Sequence, residues 1–344
     1  MSETSETSET SEFYENLEED SPGEESDESE SRHDDANEDD DDDDDEVSRK
    51  KLEGLISALP TGVNLMVDKE RREFLRKFYP LIFDWKRRFP DLRLIFTRAE
   101  IDLLILEDLK DKYPTPYNRG HPIIKFIIKA GYEDEPEKIQ DDQIIVCRTT
   151  PIHRAARCSR FLKKSGVIGE LFKIYNKYEV NYRDETSAGG GLTHFHVACK
   201  FGLYEVVRKF LEQPGRVDPN CAVRATGDTP LHLALLAHNR LGACCNVVVA
   251  LLKAGADPNL ANRDGSTPLH AVCARPDADD DSEAAASSRL EDRLVQVIFR
   301  ICEDRKHPLR LDAEDAWGRT PLRLAQDHRR TRLAEFLRSR GAQD

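Results

Sequence analysis

Four histidines each follow a threonine by three residues and could supply metal-ligand chemistry: His153, His196, His232 and His270. They lie 43, 36 and 38 residues apart and belong to separate copies of one recurring segment. Histidines in separate copies of a stacked unit are too far apart to share one zinc ion. His194 precedes His196 by two residues, and side chains at that spacing share a face only in a strand. Because this pair opens a predicted helix, we expect structural histidines and no metal site.

Other patterns that could do chemistry are incomplete. The run Gly189-Gly190-Gly191 lacks the Lys-Ser/Thr of a phosphate-binding loop, so we interpret it as a flexible turn. No G-x-S-x-G element is present. The eight cysteines are scattered without a C-x-x-C pair, which is typical of a reduced, intracellular protein. We predict a protein that is not an enzyme and holds no cofactor or metal. The alternative, an enzyme within residues 47–120, has no unusually reactive residue to support it.

The elements that position the histidines form a unit that is plainest between Gly227 and Asn259. Thr229 can cap a helix whose first residue is a proline, because the missing N–H of proline is harmless there. Two apolar doublets, 247–248 and 251–252, lie four residues apart and make the stripe of a second helix. Gly255 can end that helix in a left-handed conformation. Two short helices cannot bury their apolar faces alone, so the unit requires copies of itself as neighbours.

Both halves of this unit recur along the chain in the same order. The helix start recurs at residues 150–155, 193–198, 267–272 and 320–325, and the doublet pair at 123–128, 167–172, 206–211, 294–299 and 332–337. A Thr-Pro-Leu-His-x-Ala start followed by a doublet helix and Gly-Ala-Asp resembles the ankyrin repeat. The resemblance covers roughly residues 97–344, as one divergent repeat and five full ones.

The resemblance implies an all-α fold, a solenoid of helix-turn-helix repeats whose β-turns project as fingers. It implies that each motif histidine hydrogen-bonds the backbone of the neighbouring turn. It also implies protein binding along the fingers and the adjoining helix face, without catalysis.

The departures from the family pattern concern length and single motif residues. The motif threonines are 43, 36, 38 and 53 residues apart, whereas the family period is about 33. Repeat four has about fourteen extra residues between its helices, near 275–289, and we predict a mobile loop there. Longer turns in repeats one, two and four predict either long recognition fingers or drift in tolerant loops. His194 replaces the motif proline, and Arg323 replaces the motif histidine.

The first 46 residues differ in charge from the rest of the chain. They hold 24 Asp and Glu and one Arg, so the remainder is mildly basic although the net charge is −15. With little to bury, they are predicted to be a disordered acidic tail. The tail either only solubilises the protein or regulates it by covering the basic body or by binding a basic partner. Ser26 and Ser29 lie among acidic residues and are candidate phosphorylation sites.

An apolar stripe at helical spacing runs through residues 70–89 and contains Pro80, which must bend or split the helix. Basic residues surround the stripe, as in membrane-surface or calmodulin-target helices, but we favour a helix that caps the array. The predicted organisation is a disordered acidic tail (1–46), a linker and helical cap (47–96), a divergent capping repeat (97–146), and repeats 1 to 5 at 147–190, 191–226, 227–264, 265–317 and 318–344.

Six large side chains at variable finger positions are the candidates for partner contact: Tyr182, Arg183, Arg224, Arg263, Trp317 and Arg319. Tyr, Trp and Arg are the residue types enriched at binding hot spots. Trp317 is the sharpest candidate, because family fingers usually carry a small polar residue there. Asn259 resembles the family's sites of asparaginyl hydroxylation, although the preceding Pro258 departs from the preferred aliphatic residue.

We therefore predict a scaffold or adaptor that binds a protein partner, or alternatively an inhibitor that masks its partner and uses the acidic tail as a cover. No apolar run is long enough for a membrane span, and the acidic start does not resemble a signal peptide. We expect a protein of the cytoplasm or nucleus that is not secreted, a monomer apart from its partner, without membrane or nucleic-acid binding.

Overall fold

The structure is a computed structural model that describes residues 47, 50, 52–54, 65–83, 85–86, 89–110, 121–137, 146–158, 165–186, 190–213, 215–236, 241–274 and 283–343. Within these ranges the chain is built of helices and turns, and its β-structure consists of two isolated bridges. The predicted all-α class is confirmed. The acidic tail with Ser26 and Ser29 lies outside the described residues.

The helices follow one another as α1 (Asp68–Phe83), a 3-10 turn (Leu92–Leu94), α2 (Arg98–Leu109), α3 (Pro122–Lys129), α4 (Pro151–Arg157), α5 (Ser165–Ile174), α6 (His194–Lys200), α7 (Tyr204–Leu211), α8 (Pro230–Leu236), α9 (Leu241–Lys253), α10 (Pro268–Cys273), α11 (Glu283–Asp304), α12 (Pro321–Asp327) and α13 (Thr331–Ser339). From α2 onward they form six pairs, one for each predicted repeat. The first helices of the pairs pack in unbroken succession from α2 to α12.

The second helices form a less regular layer. Helix α3 packs on α5, and α7 and α11 both pack on α9, whereas α5 and α7 lie further apart. The apolar doublets are buried between the two layers, as the sequence predicts: Val247, Val248, Leu251 and Leu252 in α9, for example, are almost fully inaccessible. The helix stop is also confirmed, since α9 ends at Lys253 and Gly255 has φ of +95°.

Helix α1 packs its apolar side on α3, as expected of a cap. It continues through Pro80 to Phe83, so the proline does not split it. Arg71 departs from the expected solvated basic face. Its side chain is buried, where it pairs with Glu107 of α2 at 2.9 Å and donates to the Leu65 carbonyl. This pair ties the cap to the first helix pair.

The predicted mobile loop near 275–289 is wrong over its second half. Helix α11 begins at Glu283, eleven residues before the doublet at 294–295. The physical reason is local, because Glu283 and the three alanines after it are strong helix formers. Residues 275–282 lie outside the described ranges.

No helix in the described ranges combines the length and apolar composition that crossing a membrane requires. All eight cysteines are free thiols, and five of them are buried: Cys199, Cys244, Cys245, Cys273 and Cys302.

Candidate functional site

The motif histidines make the same pair of contacts in four successive repeats. The backbone N–H of the motif threonine donates to His Nδ1 at 3.0–3.2 Å in each case. On the other side of each ring, Nε2 lies 2.9–3.2 Å from a carbonyl oxygen of the following turn: Tyr182, Cys221, Ser266 and Arg319 respectively. The rings therefore fasten each first helix to the next finger, and the predicted structural role is confirmed. The described part of the chain contains no metal-ligand cluster.

Burial keeps these histidines neutral. It lowers the pKa of His153 and of His196 to about 4, and it lowers the pKa values of His232 and His270 as well. A neutral ring that accepts at Nδ1 must carry its proton on Nε2, where it donates to the carbonyl. The contact geometry thus fixes one tautomer in every repeat.

Consecutive fingers are joined by backbone hydrogen bonds. Ala225 N–H donates to the Gly190 carbonyl of the finger before it, Arg263 N–H to Thr226, and Ala316 N–H to Asp264, at 2.8–2.9 Å. Four fingers, described at residues 183–186 with 190–193, 223–228, 262–266 and 315–319, therefore form one continuous edge. An edge held in this way is ordered before any partner arrives.

Glycines make this close stacking possible. A Cβ added to Gly190 would lie 2.4 Å from the Ala225 Cβ, and one added to Gly227 would lie 2.7 Å from the Arg263 nitrogen. Both glycines have positive φ, as does Gly191, whose added Cβ would meet the Arg224 side chain at about 3 Å. The described members of the 189–191 run thus serve close packing between fingers, which differs from our interpretation of the run as a flexible turn.

Arg224 and Arg263 are exposed on this edge. Each stem lies against a glycine of the preceding finger, Gly191 and Gly227 respectively. Within the described ranges neither guanidinium has a carboxylate within 4 Å. Both are available to carboxylates of a partner.

Trp317 lies at the tip of the last finger and is 64% exposed. The Arg319 guanidinium stacks 4.8 Å from its ring centroid and pairs with Asp315 at 2.8 Å. Asp315 is buried and accepts the backbone N–H groups of both Trp317 and Arg319 at 2.9 Å. Burial alone would raise the pKa of Asp315, but these hydrogen bonds lower it. The carboxylate therefore fixes the finger that presents the tryptophan.

A family model of the ankyrin repeat matches residues 226–263. Over 153 residues, 44% of this chain, the sequence is 33% identical to cyclin-dependent kinase 4 inhibitor B of Bos taurus and covers 95% of that relative. The chain belongs to the ankyrin-repeat superfamily. An ankyrin repeat-containing protein of Saccharomyces cerevisiae is 31% identical over 83 residues, 24% of this chain and 46% of the relative. NF-kappa-B inhibitor alpha of Mus musculus is 35% identical over 114 residues, 33% of this chain and 30% of the relative. The chain spans less than half of these two relatives.

Two of the finger candidates are placed differently from the others in this ankyrin array. Tyr182 is buried, and its hydroxyl donates to Asp134 at 2.9 Å, so the expectation that it is an exposed finger residue is wrong. Arg183 is half-buried, and its backbone exchanges hydrogen bonds with Val146 and Arg148. The sequence did not predict this burial, because Tyr182 hydrogen-bonds to a carboxylate of the preceding, divergent repeat.

That carboxylate belongs to an ionic cluster between the divergent repeat and repeat 1. The Arg148 guanidinium bridges Asp102 at 2.5 Å and Asp134 at 2.7 Å. The Tyr175 hydroxyl donates to Asp102, and the guanidinium lies 5.9 and 5.3 Å from the Tyr175 and Tyr182 ring centroids. Sequence reasoning missed this cluster because its members come from four separate segments with no motif.

Asn259 has a structural role in its finger. Its side-chain oxygen accepts the Arg310 N–H at 2.8 Å, and its amide donates to the Pro308 carbonyl at 2.9 Å. Asn220 of the preceding repeat holds the turn at Gly255 and Asp257 in the same way. These contacts do not test the hydroxylation of Asn259, which stays a prediction.

A second surface runs beside the fingers along the ends of the first helices. Seven residues after each motif threonine stand, in order, Arg157, Lys200, Leu236, Ala274 and Asp327. Each is at least partly exposed, and the series changes from basic to apolar to acidic. Arg157 pairs with Asp184 at 2.6 Å, and Lys200 donates to the Ala156 carbonyl at the end of α4. We call these five residues the ladder. Sequence reasoning named none of them, although counting seven residues from each motif threonine would have found them.

Proposed function

We propose that this protein is a non-catalytic scaffold or adaptor that binds a protein partner along its finger edge and the ladder beside it. The observation that supports this best is the set of exposed large side chains, Arg224, Arg263 and Trp317, on fingers joined by backbone hydrogen bonds. A recognition surface that is already ordered loses less conformational entropy on association. Membership of the ankyrin-repeat superfamily and the likeness to named inhibitors of other proteins also favour protein binding.

The side chains of the edge suit a partner of defined chemistry. The arginines at 224 and 263 can take carboxylates in two-point contacts. Trp317, stacked on Arg319, offers an aromatic face for an apolar or aromatic side chain. We expect the partner to present an acidic stretch to the middle fingers and an apolar anchor to the last one.

Capture from a native lysate by the tagged full-length chain tests this function. We expect Trp317→Ala and the double variant Arg224→Ala/Arg263→Ala each to reduce recovery of a specific partner at least tenfold, by quantitative mass spectrometry. Leu94→Ala is the matched control, because Leu94 is 86% exposed in the 3-10 turn, away from the fingers. Equal recovery of every captured protein by all variants, with unchanged urea unfolding, contradicts the proposal.

A second candidate is an inhibitor that masks its partner and is itself regulated by the acidic tail. It is favoured by the 24 acidic residues of positions 1–46 and by the finger arginines Arg224 and Arg263, which have no carboxylate partner within the described ranges. Neutralising the run from Asp39 to Glu46 with Asn and Gln should then raise partner affinity, and the gain should be largest at low salt. Unchanged affinity at low and high salt contradicts a covering role.

We also propose three modification sites, Ser26 and Ser29 for phosphorylation and Asn259 for hydroxylation. Intact-mass and peptide mass spectrometry of the chain purified from its own cells tests all three. Unmodified peptides at full occupancy contradict them.

A further inference from the structure

A groove of about 830 Å³ separates α5 from α7, among the second helices and away from the fingers. Gly166, Gly169 and Gly202 line it and contribute no side chain. The atom nearest to a Cβ added at Gly169 is Leu203 Cδ2, at 3.8 Å, so the space there is open. Its volume falls within the range of about 300–1,000 Å³ found for ligand-holding clefts.

The walls of this groove are apolar and its rim is charged. Tyr178, Leu203 and Tyr204 are half-buried in the walls. Lys173 and Lys209 are exposed at the rim, and within the described ranges neither forms an ion pair with a carboxylate.

Two carboxylates also line the groove and offset part of the positive charge of these lysines. Glu205 is paired with Arg208 at 2.9 Å, which leaves Glu170 as a lining carboxylate without an ion pair in the described part. The rim is thus weakly basic.

An unsatisfied acceptor also belongs to this groove. Asn176 lines it, and the amide nitrogen of Asn176 donates to Glu133 Oε1 at 2.6 Å, which fixes the orientation of the amide. The other atom of the amide, Oδ1, is buried and accepts no hydrogen bond within the described residues. Buried acceptors in native proteins are normally satisfied, so Asn176 is an exception beside the groove.

We propose that the groove binds a segment of this same chain, Phe13 to Leu17 of the acidic tail. The segment reads Phe-Tyr-Glu-Asn-Leu and contains the two aromatic residues and the one leucine of positions 1–46. Glu12, Glu15 and Glu18 flank or interrupt it and complement the rim lysines.

The connection is long enough for this contact. From Leu17 to Leu52, whose side chain is buried in the core, there are 35 residues. A flexible chain of that length spans about 30–35 Å on average. Helix α1 packs on α3 and α3 on α5, so the groove lies about two helix spacings, roughly 20 Å, from α1. Tethering at that range gives a millimolar effective concentration, so weak docking suffices for high occupancy.

Photo-crosslinking in the full-length chain tests this proposal, which does not depend on partner binding by the fingers. With Tyr14→p-benzoylphenylalanine, we expect crosslinks to peptides from residues 166–178 and 202–209. Gly169→Leu fills the groove and should lower their yield at least tenfold, whereas Gly169→Ala adds only an ordinary contact and should retain most of it. Lys173→Gln/Lys209→Gln should lower the yield severalfold, and Lys125→Gln on α3 should not.

A second measurement avoids any change to the repeats. Phe13→Ser/Leu17→Ser in the tail should increase amide hydrogen exchange in α5 and α7 by severalfold and leave α9 unchanged. Three outcomes overturn the proposal: crosslinks to the fingers, crosslinks only between isotopically heavy and light chains, and exchange rates that the tail variant does not alter.

Discussion

Repeats 1 to 4 and the junction before repeat 1 are stabilised by different chemistry. In the repeats, one neutral set of contacts recurs: a threonine–histidine pair, a carbonyl from the next turn, and a glycine under the next finger. At the junction, two carboxylates share the guanidinium of Arg148, with two tyrosines packed around it. One histidine contact can be lost without affecting the copies in other repeats. Loss of one charge from the buried ionic cluster, in contrast, leaves its partner charges uncompensated.

The two regions also differ in how much free energy one lost contact costs. A net intramolecular hydrogen bond contributes about 1 kcal/mol, so each histidine contact is a modest and separate term. Breaking a buried ion pair leaves an uncompensated charge and costs about 3–5 kcal/mol. Burial already raises the pKa of Asp102, and Arg148 acts against that rise. We therefore expect the junction to be the more vulnerable of the two regions.

The largest expected effect comes from Arg148→Met. Removing the guanidinium leaves Asp102 and Asp134 facing each other in a partly buried site, and we expect a loss of about 3–5 kcal/mol. Urea unfolding of the full chain, followed by circular dichroism, measures it. Arg224→Met is the matched control on an exposed finger and should change stability by less than about 0.5 kcal/mol. A small loss for Arg148→Met would remove the distinction between the two regions.

His194→Pro should come next, with a loss of about 2–3 kcal/mol. Proline is the family residue at this position, and the family pattern alone predicts a gain. In this chain the His194 N–H donates to the Tyr182 carbonyl at 3.0 Å, and its Nε2 lies 2.7 Å from Thr150 Oγ1. Proline removes both contacts and leaves a cavity against Tyr175.

Urea unfolding of His194→Pro distinguishes the loss of stability that we expect from the gain that the family pattern predicts. A rise in stability for His194→Pro would mean that the junction tolerates the repeat pattern, and that its departure from the pattern is incidental.

The contrast also explains what the sequence could and could not predict. Capping threonines, apolar doublets and terminal glycines act over a few residues, so the helix pairs, and the structural role of the histidines, were predictable. The ionic cluster joins Asp102, Asp134, Arg148 and Tyr182, and only the folded chain brings these segments together. For the same reason Tyr182 could not be recognised as buried, whereas the exposure of Trp317, on a regular finger, could be.

Acidification should weaken the repeats before it affects the carboxylates that anchor the fingers. His153 and His196 have pKa values of about 4 when folded, against about 6.5 when unfolded, so the unfolded chain binds more protons between these limits. Their contribution is complete above about pH 6.5 and is lost as the pH falls toward 4, at up to about 1.4 kcal/mol per pH unit for each histidine. Protonation of Asp102 acts in the opposite sense, because its pKa is raised.

Urea midpoints measured from pH 7.5 to 4.5 test this dependence. The variant His196→Gln should be less stable at pH 7.5 but should show a shallower pH slope than the unmodified chain. An identical slope would show that the histidine contacts do not cause the acid sensitivity of the folded chain.

The smallest expected effect separates two glycines of the finger edge. Gly265 and Gly318 have nearly the same φ, +72° and +71°, so alanine at either position incurs the same left-handed strain of about 1–2 kcal/mol. A Cβ at Gly265 would also lie 3.0 Å from the Ala316 nitrogen of the next finger, whereas a Cβ at Gly318 meets nothing within 4 Å. We expect Gly265→Ala to be more destabilising than Gly318→Ala by about 1 kcal/mol, measured by urea unfolding. Equal losses would mean that the fingers adjust to each other freely, and the edge would then be a row of separate turns rather than one ordered surface.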